Sequence, residues 1–299
     1  MNILTNSSIK SKSIVALVLC AALWSTAGIL IKLVNLNPLA IAGSRSIVAA
    51  FVIMLFTGKP KFTFSKLQIG SALSYTGTVL LFVSANKYTT SANAILLQYT
   101  APVYAAIFGY LLLNEKVSKV DLLTIGAVIG GMVLFFIDDL AGGSLLGNIL
   151  AIISAVTFAL QAVLLRKQQD SSPAASLILG NIITGLIGIP FLFAKVPNHT
   201  EILVLLALGV FQLGLSYTLY AFAIKHVSAL EAILIPVIEP ILNPVWVFIF
   251  AGEFPGKWSI IGGLVVILAI TGRGLYYEVI RRHITAPKLA ERKLDKVNL

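Results

Sequence analysis

The chain has 299 residues, 58% of them hydrophobic and only 11% charged, and its mean hydropathy is +0.95. A soluble globule of this length cannot bury so much apolar surface, so its solvent is lipid. Twenty-two basic and 12 acidic residues give a net charge of +10, but the basic ones lie between apolar stretches and at the two ends. That scatter lacks the basic stripe with interleaved aromatics that nucleic acid requires.

Ten apolar stretches of about 20 residues follow one another from Ser13 to Tyr277. A hydrocarbon layer roughly 30 Å thick is crossed by about 20 residues at 1.5 Å rise each, and a helix satisfies its own backbone there. The predicted spans, numbered 1 to 10, are 13–33, 38–57, 67–86, 90–114, 118–137, 145–165, 173–194, 202–224, 228–252 and 258–277. Lys10 and Lys12 precede span 1 as they would a signal peptide. The stretch runs to Leu33 without a small-residue cleavage site and nine more spans follow, so it is expected to stay as a helix.

In a bilayer the polar side chains carry the information, because an unpaired polar group costs several kcal/mol there. Span 1 holds the lone Cys20, an apolar filler, and then Trp24, Ser25 and Thr26 near its midpoint, where Trp24 can form an aromatic wall. Span 2 holds Arg45, about 10 Å deep at helical rise. It can snorkel, pair with Glu239 or meet a carboxylate substrate. Span 3 places Ser71, Ser74, Tyr75 and Thr78 on one face, and span 8 does the same with Gln212, Ser216 and Tyr220. Span 4 adds Asn93, Gln98 and Tyr99, and span 6 adds Ser154, Thr157 and Gln161. One such stripe is ordinarily interhelical hydrogen bonding. Stripes in both halves favour a shared polar cavity.

Span 9 is the most unusual, with Pro236, Pro240 and Pro244 at four-residue spacing, each lacking an amide donor. Glu239 and Asn243 share a face near its middle, with Glu231 towards one end. The pattern predicts a broken, water-accessible wall in which Glu239 either binds a cationic group or a proton, or ties the helix to its neighbours. Trp246 and Phe248 face lipid or adjacent helices. Gly126 and Gly130 on span 5, and Gly262 and Gly263 on span 10, permit close helix contact, within one chain or at a homodimer seam. The Asn198-His199-Thr200 sequon matters only in a glycosylating host.

With the N-terminus inside, Lys10, Lys12, Lys59, Lys61, Lys66, Lys116, Lys119, Arg166, Lys167 and Lys225 fall on the cytoplasmic side. The outer side keeps Lys32, Lys87, Lys195 and Lys257, with the acidic Asp138 and Asp139. The positive-inside rule therefore predicts cytoplasmic termini in a multi-pass cell (inner or plasma) membrane protein. The segment 278–299 is basic, and is expected to be a mobile tail near the anionic leaflet.

An offset of about 138 residues lays Lys87 on Lys225, Ala94-Ile95-Leu96 on Ala232-Ile233-Leu234 and Pro102 on Pro240. A slightly smaller one lays Lys32 on Arg166. Each half, 13–137 and 145–277, has five spans, an odd number, so the second crosses in the opposite sense. The fold class expected is an all-α integral membrane protein of ten transmembrane helices in two inverted five-helix repeats, a plan that secondary transporters use for alternating access.

The stretch Tyr99-Thr100-Ala101-Pro102-Val103, closing with Leu113-Asn114-Glu115-Lys116 and then Gly126 and Gly130-Gly131, resembles the EamA-type branch of the drug/metabolite transporter superfamily. Its second copy is Glu239-Pro240, Gly252-Glu253 and Gly262-Gly263, with Gly252 in place of Asn114 and Pro255 interrupting the loop. The resemblance covers the whole ten-span region and implies a metabolite carrier with a central cavity, without naming the cargo.

An intramembrane enzyme needs a nucleophile with its base, or a metal with ligands, and His199, His226 and His283 all lie at span ends or beyond. No H-E-x-x-H, G-x-S-x-G or Walker loop is present, so no catalysis, metal or cofactor is expected. A channel repeats charges around a symmetric pore. Here the polar groups are varied and single, as suits a site enclosing one small molecule. The expected function is a secondary transporter, an exporter, of a small polar metabolite such as an amino acid; the alternative is a channel or a multidrug, cationic-compound exporter. The expected substrate-binding residues are Trp24, Tyr75, Thr78, Gln98, Tyr99, Gln161, Gln212, Ser216, Tyr220, Glu239 and Asn243. Glu239 and Arg45 are the coupling candidates, with a substrate gradient or proton exchange as the energy source and a monomer or homodimer as the assembly.

Overall fold

The computed structural model describes residues 3–137, 144–169, 172–242 and 256–297, with side chains from Ser8 to Ile280. Among the described residues the regular structure is entirely helical. Span 1 is built from α1 (Ile3–Trp24) and α2 (Ala27–Leu33), span 2 is α3 (Pro38–Thr57) and span 3 is α4 (Lys66–Tyr88). Span 4 is split into α5 (Ser91–Gln98) and α6 (Ala101–Leu113), and α7 (Lys119–Phe135) is span 5. In the second half α8 (Leu145–Lys167) is span 6 and α9 (Pro173–Leu192) is span 7. Span 8 joins α10 (His199–Ala207) to α11 (Ser216–Ala223) through a π-helical segment, Leu208–Leu215. Span 9 opens with α12 (Ala229–Leu234), tightens to a 3₁₀ turn over Ile235–Ile238 and resumes as helix over 239–242. Span 10 is α13 (Lys257–Val297), which continues well past Tyr277 as helix where a mobile tail was expected.

Eight of these helices are long and apolar enough to cross a membrane. The 17-residue α7 and the interrupted span 9 complete the ten. Their starts follow local chemistry. The Ser118, Asn198 and Ser228 side chains accept from the backbone amides of Asp121, Glu201 and Glu231, whose carboxylates bond back to the capping amides. Pro38 and Pro173 open α3 and α9, where no amide donor is needed.

The packing repeats itself when the halves are exchanged. Span 3 lies along span 6 as span 8 lies along span 1; span 3 touches span 7 as span 8 touches span 2; and spans 2 and 7, and 5 and 10, pair across the axis. The ends fix the sense of that axis. Lys32 Nζ donates to the Thr89 carbonyl at 3.3 Å and Lys87 Nζ to that of Val34 at 2.6 Å, at the end that also holds Asn35, Lys195 and Glu201. Arg166, the repeat equivalent of Lys32, donates to the carbonyls of Ile224 and Lys225 at 3.3 and 2.6 Å. Its end of the bundle holds Lys10, Glu231 and Arg273. Equivalent residues at opposite ends make the repeats antiparallel, so the pseudo-two-fold lies in the membrane plane.

Glycine allows the closest crossings. A Cβ on Gly43 would lie 2.6 Å from Gly188 Cα, where spans 2 and 7 meet. Spans 5 and 10 approach through Gly131 and Gly262, which makes this an intrachain contact. Gly126 and Gly130 take no part in it, with no atom within 4 Å of a Cβ at either position.

Candidate functional site

Spans 1, 2, 3, 4, 6, 8 and 9 enclose a small cavity of about 50 Å³ in the interior of the bundle. Its polar wall comes from Arg45, Thr78, Gln98, Tyr99, Gln212 and Glu239; Trp24, Phe158 and Tyr217 supply its aromatic wall.

Arg45 is 1% exposed. Its Nη1 donates to Gln212 Oε1 at 2.7 Å, while its Nε has no hydrogen-bond partner. No carboxylate lies within 4 Å of it among the described residues, so the expected alternative of a pair with Glu239 is not formed. A guanidinium at the centre of a helix costs roughly 2.5–3.5 kcal/mol even on the mildest insertion scale. Gln212 lies in the π-helical segment of span 8, a widened turn that is frequent at functional sites.

Glu239 sits where span 9 leaves its 3₁₀ turn. The Tyr99 hydroxyl donates to its Oε2 at 2.8 Å and lies 3.3 Å from the Pro236 carbonyl. Tyr99 itself occupies the break between α5 and α6, at the repeat position equivalent to the 3₁₀ turn. Proline explains both breaks. Pro102 and Pro240 follow them one turn later, and Pro236 lies inside the second. Glu239 also borders a groove of about 320 Å³, lined by Ser25, Gly28, Lys32, Ser91 and Ile95, that reaches inwards from the Lys32 end.

The other polar stripes tie helices together at the cavity edge. Gln98 Nε2 donates to Ser154 Oγ at 3.0 Å, Ser154 to the Thr78 carbonyl at 3.1 Å, and Thr78 to Thr157 Oγ1 at 3.1 Å. Four expected site residues stand behind the wall. Tyr75 is fully buried and donates to Asn181 Oδ1 at 2.8 Å. Ser216 donates back to the carbonyls of Gln212 and Leu213 in its own helix. Gln161 is buried beside the Tyr217 hydroxyl. Tyr220 packs on Trp24 and Phe158 at ring-centroid distances of 5.7 and 6.4 Å. Asn243 lies outside the described residues, as do Pro244, Trp246 and Phe248. Tyr217, Phe158 and Leu213 line the cavity without having been marked by the polar stripes.

At the Lys10 end charges drawn from five spans surround a hollow of about 390 Å³. Lys10 meets Glu231 at 2.8 Å, Arg273 meets Asp121 at 2.8 Å, and the Tyr277 hydroxyl donates to Asp121 at 2.9 Å. Glu115 accepts from the Ala229 amide at 3.2 Å and lies 3.9 Å from Arg166. Partial burial pushes the Glu115 carboxyl above the usual carboxylate range.

Comparison with known proteins follows this architecture. The model of the EamA-like transporter family matches residues 11–137 and again 145–272, once in each half. The chain belongs to the EamA-like transporter family. Within the drug/metabolite transporters, the EamA chain is 25% identical over 297 residues to an "uncharacterized transporter" of Archaeoglobus fulgidus, covering 91% of this chain and 99% of that one. It is 28% identical over 210 residues to an "uncharacterized transporter" of Clostridium kluyveri, covering 66% and 67%. Human solute carrier family 35 member G1 is 24% identical over 283 residues, covering 86% of this chain and 77% of that one. A protein solved by crystallography shares the fold, with TM-score 0.76 and 18% identity over 90% of this chain and 99% of its own. This EamA protein is thus a multi-pass membrane transporter of a small molecule, not an enzyme.

Proposed function

We propose that the chain is a secondary transporter that exports a small zwitterionic metabolite of the amino-acid class by alternating access through the Arg45–Glu239 cavity. One observation carries this reading. The cavity presents a buried cation and a carboxylate on different walls, and neither is neutralised by the other or by any described ion pair. A molecule with a carboxylate for Arg45 and an ammonium group for Glu239 would satisfy both and repay the cost of holding them in lipid. Trp24 and Tyr217, with ring centroids 5.2 Å apart, supply an apolar wall for the side chain. Arg45 disfavours the alternative cargo of a cationic drug, which would meet an uncompensated positive charge.

A volume of about 50 Å³ admits a few waters but no metabolite, so spans must part to take up cargo. The structure's asymmetry supports the direction in which they part: the groove from the Lys32 end reaches Glu239, whereas the hollow at the Lys10 end shares no residue with the central cavity and is crossed by ion pairs. With the basic segments inside, the ion-paired Lys10 end is cytoplasmic and both termini lie in the cytoplasm of a cell-membrane protein. Exchange of a proton at Glu239 for the substrate ammonium would couple transport to the proton gradient.

The test is counterflow in proteoliposomes with the wild-type protein and a panel of amino acids, their decarboxylated amines and their N-acetylated forms. The expected result is saturable exchange of the zwitterions, with the amines and the N-acetylated forms exchanged only weakly. Exchange of amines equal to that of amino acids would overturn the zwitterion assignment, and flux without exchange would replace the carrier by a channel.

A further inference from the structure

Away from the cargo cavity, at the Lys10 end of the bundle, another pocket of about 650 Å³ opens between the loop joining spans 2 and 3 and residues at the end of span 6 and the start of span 7. Lys59, Lys61 and Lys167 line it together with Thr57, Ser172 and Gln168. None of the three lysines has a carboxylate within 4 Å among the described residues. The two helices that begin here, α4 with 23 residues and α9 with 20, turn their positive ends towards the same space. Three like charges and two helix dipoles around one pocket repel one another, and a bound anion would relieve that repulsion. The positive-inside rule accounts for basic residues on this side of the membrane, but it does not require them to converge, with hydroxyls, on a shared hollow.

We infer that this pocket binds a phosphate group, held by Lys59, Lys61 and Lys167 and the adjoining hydroxyls. The phosphate can belong to an anionic phospholipid headgroup or to a soluble phosphorylated molecule. The setting favours the lipid. Leu55, Phe56 and Phe64, which flank the pocket-lining Thr57, Thr63 and Ser65 in the chain, are 71%, 62% and 62% exposed. They lay apolar surface for acyl chains beside the charged hollow, and basic pockets at the ends of membrane helices take headgroups in this way. A headgroup seated there would clamp the ends of spans 2 and 6 to the starts of spans 3 and 7. The inference is independent of the cargo assigned to the central cavity.

The test uses the purified full-length protein in nanodiscs of phosphatidylcholine alone, of phosphatidylcholine with a minor fraction of phosphatidylglycerol, and of phosphatidylcholine with inorganic phosphate in the buffer. The double variant Lys61→Gln/Lys167→Gln is compared with Lys12→Gln/Lys119→Gln, which removes the same charge from exposed positions at the same end. Phosphatidylglycerol is expected to raise the melting temperature of the wild type and of the control variant by roughly 3 °C or more, and to lose that effect in the pocket variant. Protection by inorganic phosphate through the same two lysines would support the site and assign it to soluble phosphates. Equal loss in the control and pocket variants, or no protection by either probe, would overturn the inference. Circular dichroism at low temperature confirms that each variant is folded before its melting point is read.

Discussion

The hydroxyl of Tyr99 donates to Oε2 of Glu239 at 2.8 Å, joining the first half of the chain to the second at the two places where its helices break. Tyr99 closes α5 and Glu239 closes the 3₁₀ turn, so each carries a side chain on backbone that is not continuous α-helix. Both residues line the central cavity, and Glu239 also lines the groove that leads to the Lys32 end. Glu239 is the one residue that borders both spaces, so a change in this bond is felt by both.

Replacing Glu239 by Gln keeps the size of the side chain and its ability to accept from Tyr99, and removes only the charge. If Glu239 carries the coupling proton, Glu239→Gln retains substrate exchange across the membrane but loses accumulation driven by a pH gradient. Exchange and pH-driven uptake in the same proteoliposome preparation measure both. A variant that still accumulates substrate against its gradient would remove Glu239 from coupling.

Arg45 makes a different demand, because its role is read through the substrate. Losing a charge-assisted hydrogen bond costs roughly 1.5–3 kcal/mol, or about a 10- to 100-fold weaker apparent affinity. Arg45→Gln is expected to raise KM for carboxylate-bearing substrates by that factor while leaving the weak transport of their decarboxylated amines unchanged. Equal losses for both classes would make Arg45 a structural residue held by Gln212.

The span pattern was legible because lipid imposes it. Pro38–Thr57 and the start of span 7 at Pro173 follow from apolar length and an initial proline alone. Glu239 and Arg45 stood out because charge is expensive at that depth. What did not follow was the register of span 8. A period of 3.6 puts Gln212, Ser216 and Tyr220 on one face, but the π segment over Leu208–Leu215 adds a residue to the turn. Gln212 and Tyr217 line the cavity instead, while Tyr220 and Ser216 are turned into the packing behind it. The sequence offers no local sign of such a segment. Gln161 fell outside the lining for a simpler reason: span 6 presents Phe158 to the cavity, so the polar stripe on that helix serves its neighbours.

Glu115 gives the bundle a pH dependence at the Lys10 end. Burial is the largest influence on it and raises its folded pKa above the ordinary 4.5, outweighing the Ala229 amide and Arg166. A group whose folded pKa is raised contributes stability that is complete below the unfolded pKa and is lost as pH climbs through the folded one. The thermal stability of the wild type should thus carry a component that falls as pH rises from about 4.5, and Glu115→Gln should flatten that part of the profile. A profile unchanged by the substitution would show that the carboxyl is not protonated in this range.

Orientation is tested by labelling single cysteines with a membrane-impermeant maleimide in a Cys20→Ser background. Cysteines at Asp138 and Asn198 should react from outside the cell, and those at Lys61, Lys167 and Lys288 only after the membrane is permeabilised. The reverse pattern would place the ion-paired Lys10 end outside and would turn the groove to Glu239 towards the cytoplasm, against the proposed direction.

The crossing of Gly43 and Gly188 lies between spans 2 and 7, one of the two pairs that the pseudo-two-fold exchanges, so it is a contact about which the halves can turn. A methyl group on Gly43 would stand 2.6 Å from Gly188 Cα, closer than carbon atoms approach, and the neighbour is backbone that cannot rotate away. Gly43→Ala should therefore force the spans apart and lower stability by about 1–3 kcal/mol or more. Gly126→Ala adds the same methyl where nothing lies within 4 Å and should cost nothing measurable, since alanine is also the better helix former. Melting temperatures of the two variants, measured beside transport per folded molecule, separate a pivot from mere packing. A destabilised Gly43→Ala that still transports at the wild-type rate would mean that the halves do not turn about this crossing, and equal stability of the two variants would deny the close approach itself.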